Sequence, residues 1–422
     1  MLNKATLKIK NMNETVNKIY SFSEQFKTFN IYDSCQVSAP LGYNRFNLVA
    51  GFGCISILEG SFQDISLQID TSKYWIFGQM NYEGKNEFST DSDATQSFFY
   101  TPEIVITLID AEFQIINNGI SDILFNQYFK FFVDIDLSNF NSSKLAHTTT
   151  FMPSVLKDFY LNNVDKIKED ILNGVYYEMN YCQKFTANIS LSAQEISYLQ
   201  TKMLNQSPAP FSAYLNLHKT KVLCASPERF LMRDGQKLIS QPIKGTNKRL
   251  IGEANNEQLN ILKQSEKELA ENVMIVDLVR NDLTKVCKTG TIKVEELCGT
   301  YAFSKVNQMI STVTGQLQEK ESFFEIMQAL FPMGSMTGAP KIEVIKNIEL
   351  FEQTKRGLYS GCVGYIMPNK DFDFNVVIRT LVIEENQIHF HVGGAITFDS
   401  EAEKEFEECL LKGNSITDLF EE

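Results

Sequence analysis

The chain has 422 residues, of which 43% are hydrophobic and 22% charged, and a net charge of -13 at neutral pH. That is enough apolar material for a large globular core and enough length for one large domain or two to three ordinary ones. The acidic balance excludes nucleic acid as a partner, which needs a basic footprint, and offers no attraction to anionic membrane surfaces. No apolar run approaches a membrane span, and the eight cysteines are scattered without a C-x-x-C pair, so they read as reduced thiols of a cytoplasmic protein.

Residues 1–150 read as a β-rich part with no linker separating it from residues 151–422. Segments 49–57 and 74–78 carry the aromatic and β-branched residues, punctuated by glycine, that favour strands. After Pro153 the period changes: Val155, Phe159, Val164, Ile167 and Ile171 follow helical spacing. Strands are expected over 185–191 and 213–225, then a strong helix over 265–283 opened by a capping box of Ser265 with Glu268. Segments 322–330 and 340–350 read as helices, Pro340 suiting a first turn where its missing N–H costs nothing. Segments 361–367, 375–384 and 387–392 read as strands, and Ser400 with Glu403 as a capping box for a last helix to about Leu419. The mixture predicts an α+β fold on a largely antiparallel sheet.

Several residues carry chemistry. Glu268 with Glu271, and Glu405 with Glu408, sit three apart, so each pair shares a helix face. Two such faces brought together make a hard-oxygen site suited to Mg²⁺; apart, they are ordinary solvated carboxylates. Lys244 is a nucleophile only when neutral, which requires burial or a neighbouring cation to lower its pKa; otherwise it is a turn lysine. The loop Gly334-Ser-Met-Thr-Gly-Ala-Pro-Lys341 feeds a helix whose first amides suit a carboxylate, or is a plain turn. Val392-Gly-Gly-Ala395 marks either a close approach to a ligand or a strand kink. Arg379, inside an apolar strand, needs a carboxylate, from a ligand or from the protein. His147, His218, His389 and His391 have no metal spacing, and the last two are expected at the surface or half-buried.

In their order and spacing, Ser226-Pro-Glu-Arg-Phe-Leu231, Gln241-Pro-Ile-Lys-Gly-Thr246, Glu268-Leu-Ala-Glu271, the 334–341 loop, Tyr359-Ser-Gly-Cys-Val-Gly-Tyr365, Ile378-Arg-Thr380 and the acidic run 399–408 resemble the chorismate-utilising enzymes, over roughly residues 155–420. That family includes anthranilate, isochorismate, salicylate and aminodeoxychorismate synthases. The resemblance implies a mostly antiparallel β-sheet sandwich flanked by helices. It implies Mg²⁺ on Glu268, Glu271, Glu405 and Glu408, with substrate contacts from Gly245, Thr246, Ser335, Tyr359, Arg379, Gly394 and Lys412. It makes Glu228 the general acid for a departing hydroxyl.

Three positions sort the chemistry within the resemblance. Lys244 stands where anthranilate-forming members carry Ala, and implies a covalent lysine on ring C2 of chorismate. Glu178 stands where the isochorismate- and salicylate-forming members place a water-activating lysine, which argues against water as the nucleophile. Gln308 replaces a His associated with eliminating pyruvate. The implied reaction joins chorismate and ammonia into 4-amino-4-deoxychorismate, on the route to 4-aminobenzoate and folate. The ammonia is expected from a separate glutamine amidotransferase subunit, and a separate aminodeoxychorismate lyase acts downstream. An anthranilate-forming enzyme and a non-catalytic chorismate binder are the alternatives.

Overall fold

The computed structural model describes residues 4–9, 11–84, 97–110, 112–137, 145, 149–217, 219–319 and 321–421. Among these described residues, two antiparallel sheets, of twelve and ten strands, lie face to face. Strands such as Leu48–Phe52 and Cys362–Ile366 are buried at every position. This continuous apolar pattern arises because both faces of each sheet are covered. Between the sheets pack Val49, Val105, Leu215 and Val222 from the larger one and Phe77, Tyr100, Val363 and Tyr365 from the smaller. The outer face of the larger sheet is covered by helices Met12–Ser23, Asp122–Asp134, Ala193–Gln206 and Ala402–Thr417. That of the smaller sheet is covered by Phe62–Thr71, Glu266–Thr284 and Phe323–Leu330. The molecule is thus a β-sandwich with helical layers outside, the expected α+β class.

Strands of the first 120 residues enter both sheets: Thr28–Asp33 pairs with Phe211–Leu217 in the larger, and Ile76–Met80 with Cys362–Ile366 in the smaller. That region is not only strands. Its helices Met12–Ser23, Phe62–Thr71 and Asp122–Asp134 escape a reading based on aromatic content, because Phe and Tyr favour strands. Their caps were the missed signal: Ser61 with Asp64 forms a full capping box, and Asn11 and Ser121 each accept an amide of the first turn. Helices Ala193–Gln206, with its own Ser192–Glu195 box, and Ala254–Gln264 were missed as well.

Two further expectations change form. The 213–225 strand is a hairpin of Phe211–Leu217 and Thr220–Ser226. The 375–384 strand is two: Phe372–Asn375 belongs to the smaller sheet and Thr380–Ile383 to the larger. The chain therefore crosses between sheets at 376–379, and Arg379 sits in that crossing with a left-handed φ of 50° instead of inside a strand. A second crossing runs alongside, from Thr220–Ser226 in the larger sheet to Arg229–Asp234 in the smaller, and carries Glu228. The two are stitched together: the Ser226 hydroxyl donates to the Val376 carbonyl (2.6 Å), Val376 N–H to the Glu228 carbonyl (3.0 Å), and Ala225 N–H to the Arg379 carbonyl (3.1 Å).

Arg229 anchors this region. It is 1% exposed, donates to both Asp373 oxygens at 2.9 Å and to Gln241 Oε1 and the Tyr43 carbonyl at 2.6 Å, and lies over the Phe211 ring. Arg229→Ala leaves Asp373, whose side chain is only 11% exposed, unpaired; urea unfolding is expected to show a loss of about 3–5 kcal/mol.

Candidate active site

The expected residues gather where the sheets meet two helix starts. Glu178 opens strand Glu178–Ala187 of the larger sheet, and Lys244 lies on strand Ile243–Lys248 of the smaller. Lys244 Nζ donates to Glu178 Oε1 at 2.7 Å, with side chains 10% and 1% exposed, so one buried ion pair ties the sheets together. Burial by itself depresses the Lys244 pKa, but Glu178, Glu271 and Glu228 together outweigh it and hold the ammonium above its usual range. A nucleophilic lysine needs a lowered pKa; in this state Lys244 is buried yet kept charged, because three carboxylates face it.

Glu228, 3% exposed, accepts a hydrogen bond from the Ser335 hydroxyl at 2.6 Å. Burial pushes its carboxyl up to about 7, against the opposing pull of that bond, of the Ile243 backbone, and of Lys244 and Arg379. Such an acid is poised to give up a proton near neutrality. Burial lowers the Arg379 guanidinium to about 10, partly offset by Glu228. The two crossings therefore bring an acid and a cation together.

The 334–341 loop is an arm of this site. Ser335 holds Glu228, and Gly338–Ala339 pairs with Met179 and Glu178 at the start of the lysine's partner strand. Gly338 has φ 141°, and a Cβ there would lie 2.1 Å from the Glu178 carbonyl oxygen, so only glycine allows this approach. Lys341 points away, to Asp282 and the Leu330 carbonyl at 2.8 Å each.

The glutamate pairs sit on helices Glu266–Thr284 and Ala402–Thr417. Ser265 accepts the Glu268 amide, but the reciprocal half of the box is missing; Glu268 Oε2 instead lies 3.0 Å from where a Gly245 Cβ would stand, and Gly245 has φ 98°. Ser400, unlike Ser265, does not cap its helix. Glu401 is the cap residue, and the Ser400 hydroxyl donates to Glu405 Oε1 at 2.6 Å, fixing that buried carboxylate. Glu405 Oε2 and Lys412 Nζ lie 3.3 and 3.5 Å from a Cβ placed on Gly394. Lys412 pairs with Glu408 at 2.8 Å and holds it below the usual carboxylate range. Burial pushes Glu271 up to about 7, and it raises Glu268 as well, helped by Glu408.

These carboxylates sense one another, and Glu271 Oε1 is buried without a hydrogen bond. Their donor chemistry fits a hard divalent cation, which lowers mutual repulsion and takes up an oxygen whose ion-pair partner, Lys267, stands 3.8 Å away. Among the described residues, however, no three metal-type side chains converge into a ready-made cage.

Tyr359 lies deeper. Its hydroxyl accepts from the Cys182 thiol at 3.7 Å and its ring stacks on His391, while its neighbour Ser360 bonds to Val377 beside the Arg379 crossing. His391 is buried and not at the surface, His389 is half-buried, and His147 and His218 lie outside the described residues. Thr246 is exposed and pairs across the strands with Gln308, which is 3% exposed with an unpartnered Oε1. The residue the sequence argument undervalued is Glu178. It entered as a missing lysine; only the fold makes it the partner of Lys244.

No described helix is long and apolar enough to cross a membrane, and all eight cysteines are free. Solved structures share the fold. The menaquinone-specific isochorismate synthase of Escherichia coli matches with a TM-score of 0.82 at 15% identity, covering 100% of this chain and 94% of that one. Anthranilate synthase component I of Streptococcus pneumoniae matches at 0.72 and 19%, covering 98% and 92%. Among curated relatives, a probable chloroplastic aminodeoxychorismate synthase of rice (Oryza sativa subsp. japonica) is 38% identical over 68% of this chain and 32% of its own length. Aminodeoxychorismate synthase component 1 of Escherichia coli is 36% identical over 64% and 59%. Anthranilate synthase component 1 of Aquifex aeolicus is 35% identical over 63% and 53%. The matched part is thus about a third of the rice protein's length and just over half that of the two bacterial ones. A family model described as chorismate binding enzyme matches residues 57–418, starting about a hundred residues before the 155–420 stretch of the resemblance, and this chain belongs to that family.

Proposed function

We propose that the chain is the large subunit of an aminodeoxychorismate synthase, replacing the 4-hydroxyl of chorismate by an amino group. The observation that carries the reading is a buried lysine on a carboxylate partner, beside an acid with a pKa of about 7. Lys244 gives up its proton along the hydrogen bond to Glu178. Its lone pair bonds to ring C2, the ring double bonds shift, and the C4–oxygen bond breaks. Glu228 supplies the proton with which the hydroxyl departs as water. Ammonia then bonds at C4, the double bonds shift back, and Lys244 leaves as the free amine. The ammonium formed at C4 returns a proton to Glu228, and Glu178 returns one to Lys244.

Arg379, with Tyr359, orients the enolpyruvyl carboxylate, since a guanidinium fork binds both oxygens. Gly245, Thr246, Gly394 and Lys412 line the ring side. Glu268, Glu271, Glu405 and Glu408 are the residues to hold Mg²⁺, some through water; the ion would neutralise the ring carboxylate and the charge developed as the hydroxyl leaves. Ammonia comes from a separate glutaminase subunit, as the name component 1 of the bacterial relatives suggests, and a lyase completes 4-aminobenzoate for folate. Eight free cysteines suit a reducing compartment such as the cytoplasm.

Incubated with chorismate, Mg²⁺ and ammonium, the chain is expected to yield a product that becomes 4-aminobenzoate only when a 4-aminodeoxychorismate lyase is added. Anthranilate formed directly would overturn the assignment. Lys244→Ala should abolish turnover while Mg²⁺-dependent chorismate binding, measured calorimetrically, survives; near-wild-type turnover would remove the covalent role.

Glu228 works protonated, so kcat should decline as pH rises through about 7. The Ser335 bond favours the carboxylate, so Ser335→Ala should move that alkaline limb to higher pH. Glu228→Gln should lose roughly 10²–10⁴-fold in kcat.

A further inference from the structure

Strand Ile243–Lys248, which carries Lys244, does not pair regularly with its neighbour Val306–Gln316. Ile243 stands opposite Ile310 and Thr246 opposite Gln308, so Lys244 and Gly245 together face Met309 alone. That is a β-bulge, which bends its strand and re-aims the side chains on it. Gly245 takes φ 98°, and a Cβ on it would lie 3.1 Å from the Met309 Cβ. The direction in which the lysine leaves its strand is therefore set at a break in the ladder, where regular pairing does not fix it.

Asn272, on helix Glu266–Thr284, reaches this break from the helical layer and is 2% exposed. Its Nδ2 donates to the Lys244 carbonyl at 3.1 Å and to the Met309 carbonyl at 3.3 Å, one from each strand at the bulge. Its Oδ1 accepts from the Ser311 hydroxyl at 2.5 Å and from the Cys298 thiol at 3.6 Å. The Ser311 oxygen in turn accepts the Cys298 N–H at 2.8 Å. Two acceptors face the amide nitrogen and two donors face its oxygen, so one orientation of the carboxamide satisfies the whole set. A buried polar network completed in this way is rigid. An apolar side chain of similar size would fill the same space with no tie to the bulge.

We propose that Asn272 is a positioning residue for Lys244: it splints the bulge and so directs the lysine side chain across to Glu178. The catalytic consequence rests on Lys244 being the nucleophile of the proposed reaction; the placement itself does not depend on which product is made.

The test reads the lysine directly in the full chain. The Lys244 ammonium, 10% exposed and 2.7 Å from Glu178, should exchange its protons slowly enough to give a ¹H–¹⁵N ammonium signal, identified by its absence from Lys244→Ala. In Asn272→Leu and Asn272→Ala that signal should vanish. With chorismate and ammonium, kcat of both variants should fall by roughly 10²-fold with KM little changed, as expected when a reacting group is displaced by about 1 Å. Ile275→Val, further along the same helix, loosens core packing without touching the bulge and should keep both signal and turnover. Circular dichroism melts confirm folding; if one Asn272 variant fails to fold, the other decides. A signal kept in the folded Asn272 variants, a signal lost equally in Ile275→Val, unchanged kcat once the signal is lost, or no such signal in the unaltered chain would each overturn the proposal. The NMR arm uses no substrate. An unaltered chain that converted no chorismate with ammonium would sink the proposed function, and the signal would still decide whether Asn272 places the lysine.

Discussion

The ion pair between Glu178 and Lys244 joins the two sheets at the point where they open onto the candidate site. Two opposite charges taken out of water are tolerable only when they meet at close range with good geometry. That requirement fixes how the ends of strands Glu178–Ala187 and Ile243–Lys248 approach. It also sets the electrostatics of everything nearby. Lys244 counters the buried Glu228 and the half-buried Glu268 and Glu271, while Glu178, Glu271 and Glu228 in turn keep Lys244 charged. Residues that support this pair carry much of the local architecture: Asn272 donates to the Lys244 carbonyl at 3.1 Å, and Gly338 brings its loop against Glu178.

The second organising feature is the doubled crossing between the sheets. In a sandwich, most backbone is committed to ladders, and side chains face either the inner or the outer layer. Where a chain leaves one sheet for the other, its side chains are free to point along the gap. Glu228 and Arg379 occupy two such crossings, stitched by backbone hydrogen bonds. An acid and a cation are thereby held on rigid backbone without interrupting either sheet, which suits chemistry needing fixed geometry.

Much of the architecture was legible. The helix Glu266–Thr284 was found within a residue at each end, because Ser265 and the apolar period are local signals. Helix Asp122–Asp134 was not, because its many aromatics read as strand while its single cap at Ser121 is a weak mark. The 375–384 segment failed for a different reason: its apolar pattern is the same whether it stays in one sheet or crosses between two. Ser265 and Ser400 show the converse case. Both serines were rightly noticed beside helix starts, but the carboxylates thought to complete their capping boxes serve the site or the surface instead.

The sequence by itself determined the inventory and its order: a lysine between Pro-Ile and Gly-Thr, an acid sixteen residues before it, two glutamate pairs at helical spacing, and enough β-branched and aromatic residues for large sheets. These are properties of residue type and short-range period, which a chain carries before it folds. Only the tertiary structure decided that Glu178, sixty-six residues from Lys244, is its partner. It also decided that Lys244 is held charged instead of neutral, and that Glu228 and Glu271 are both pushed up to about 7. A pKa depends on burial and on charges a few ångströms away, and neither distance nor dielectric is written in the spacing of residues along the chain.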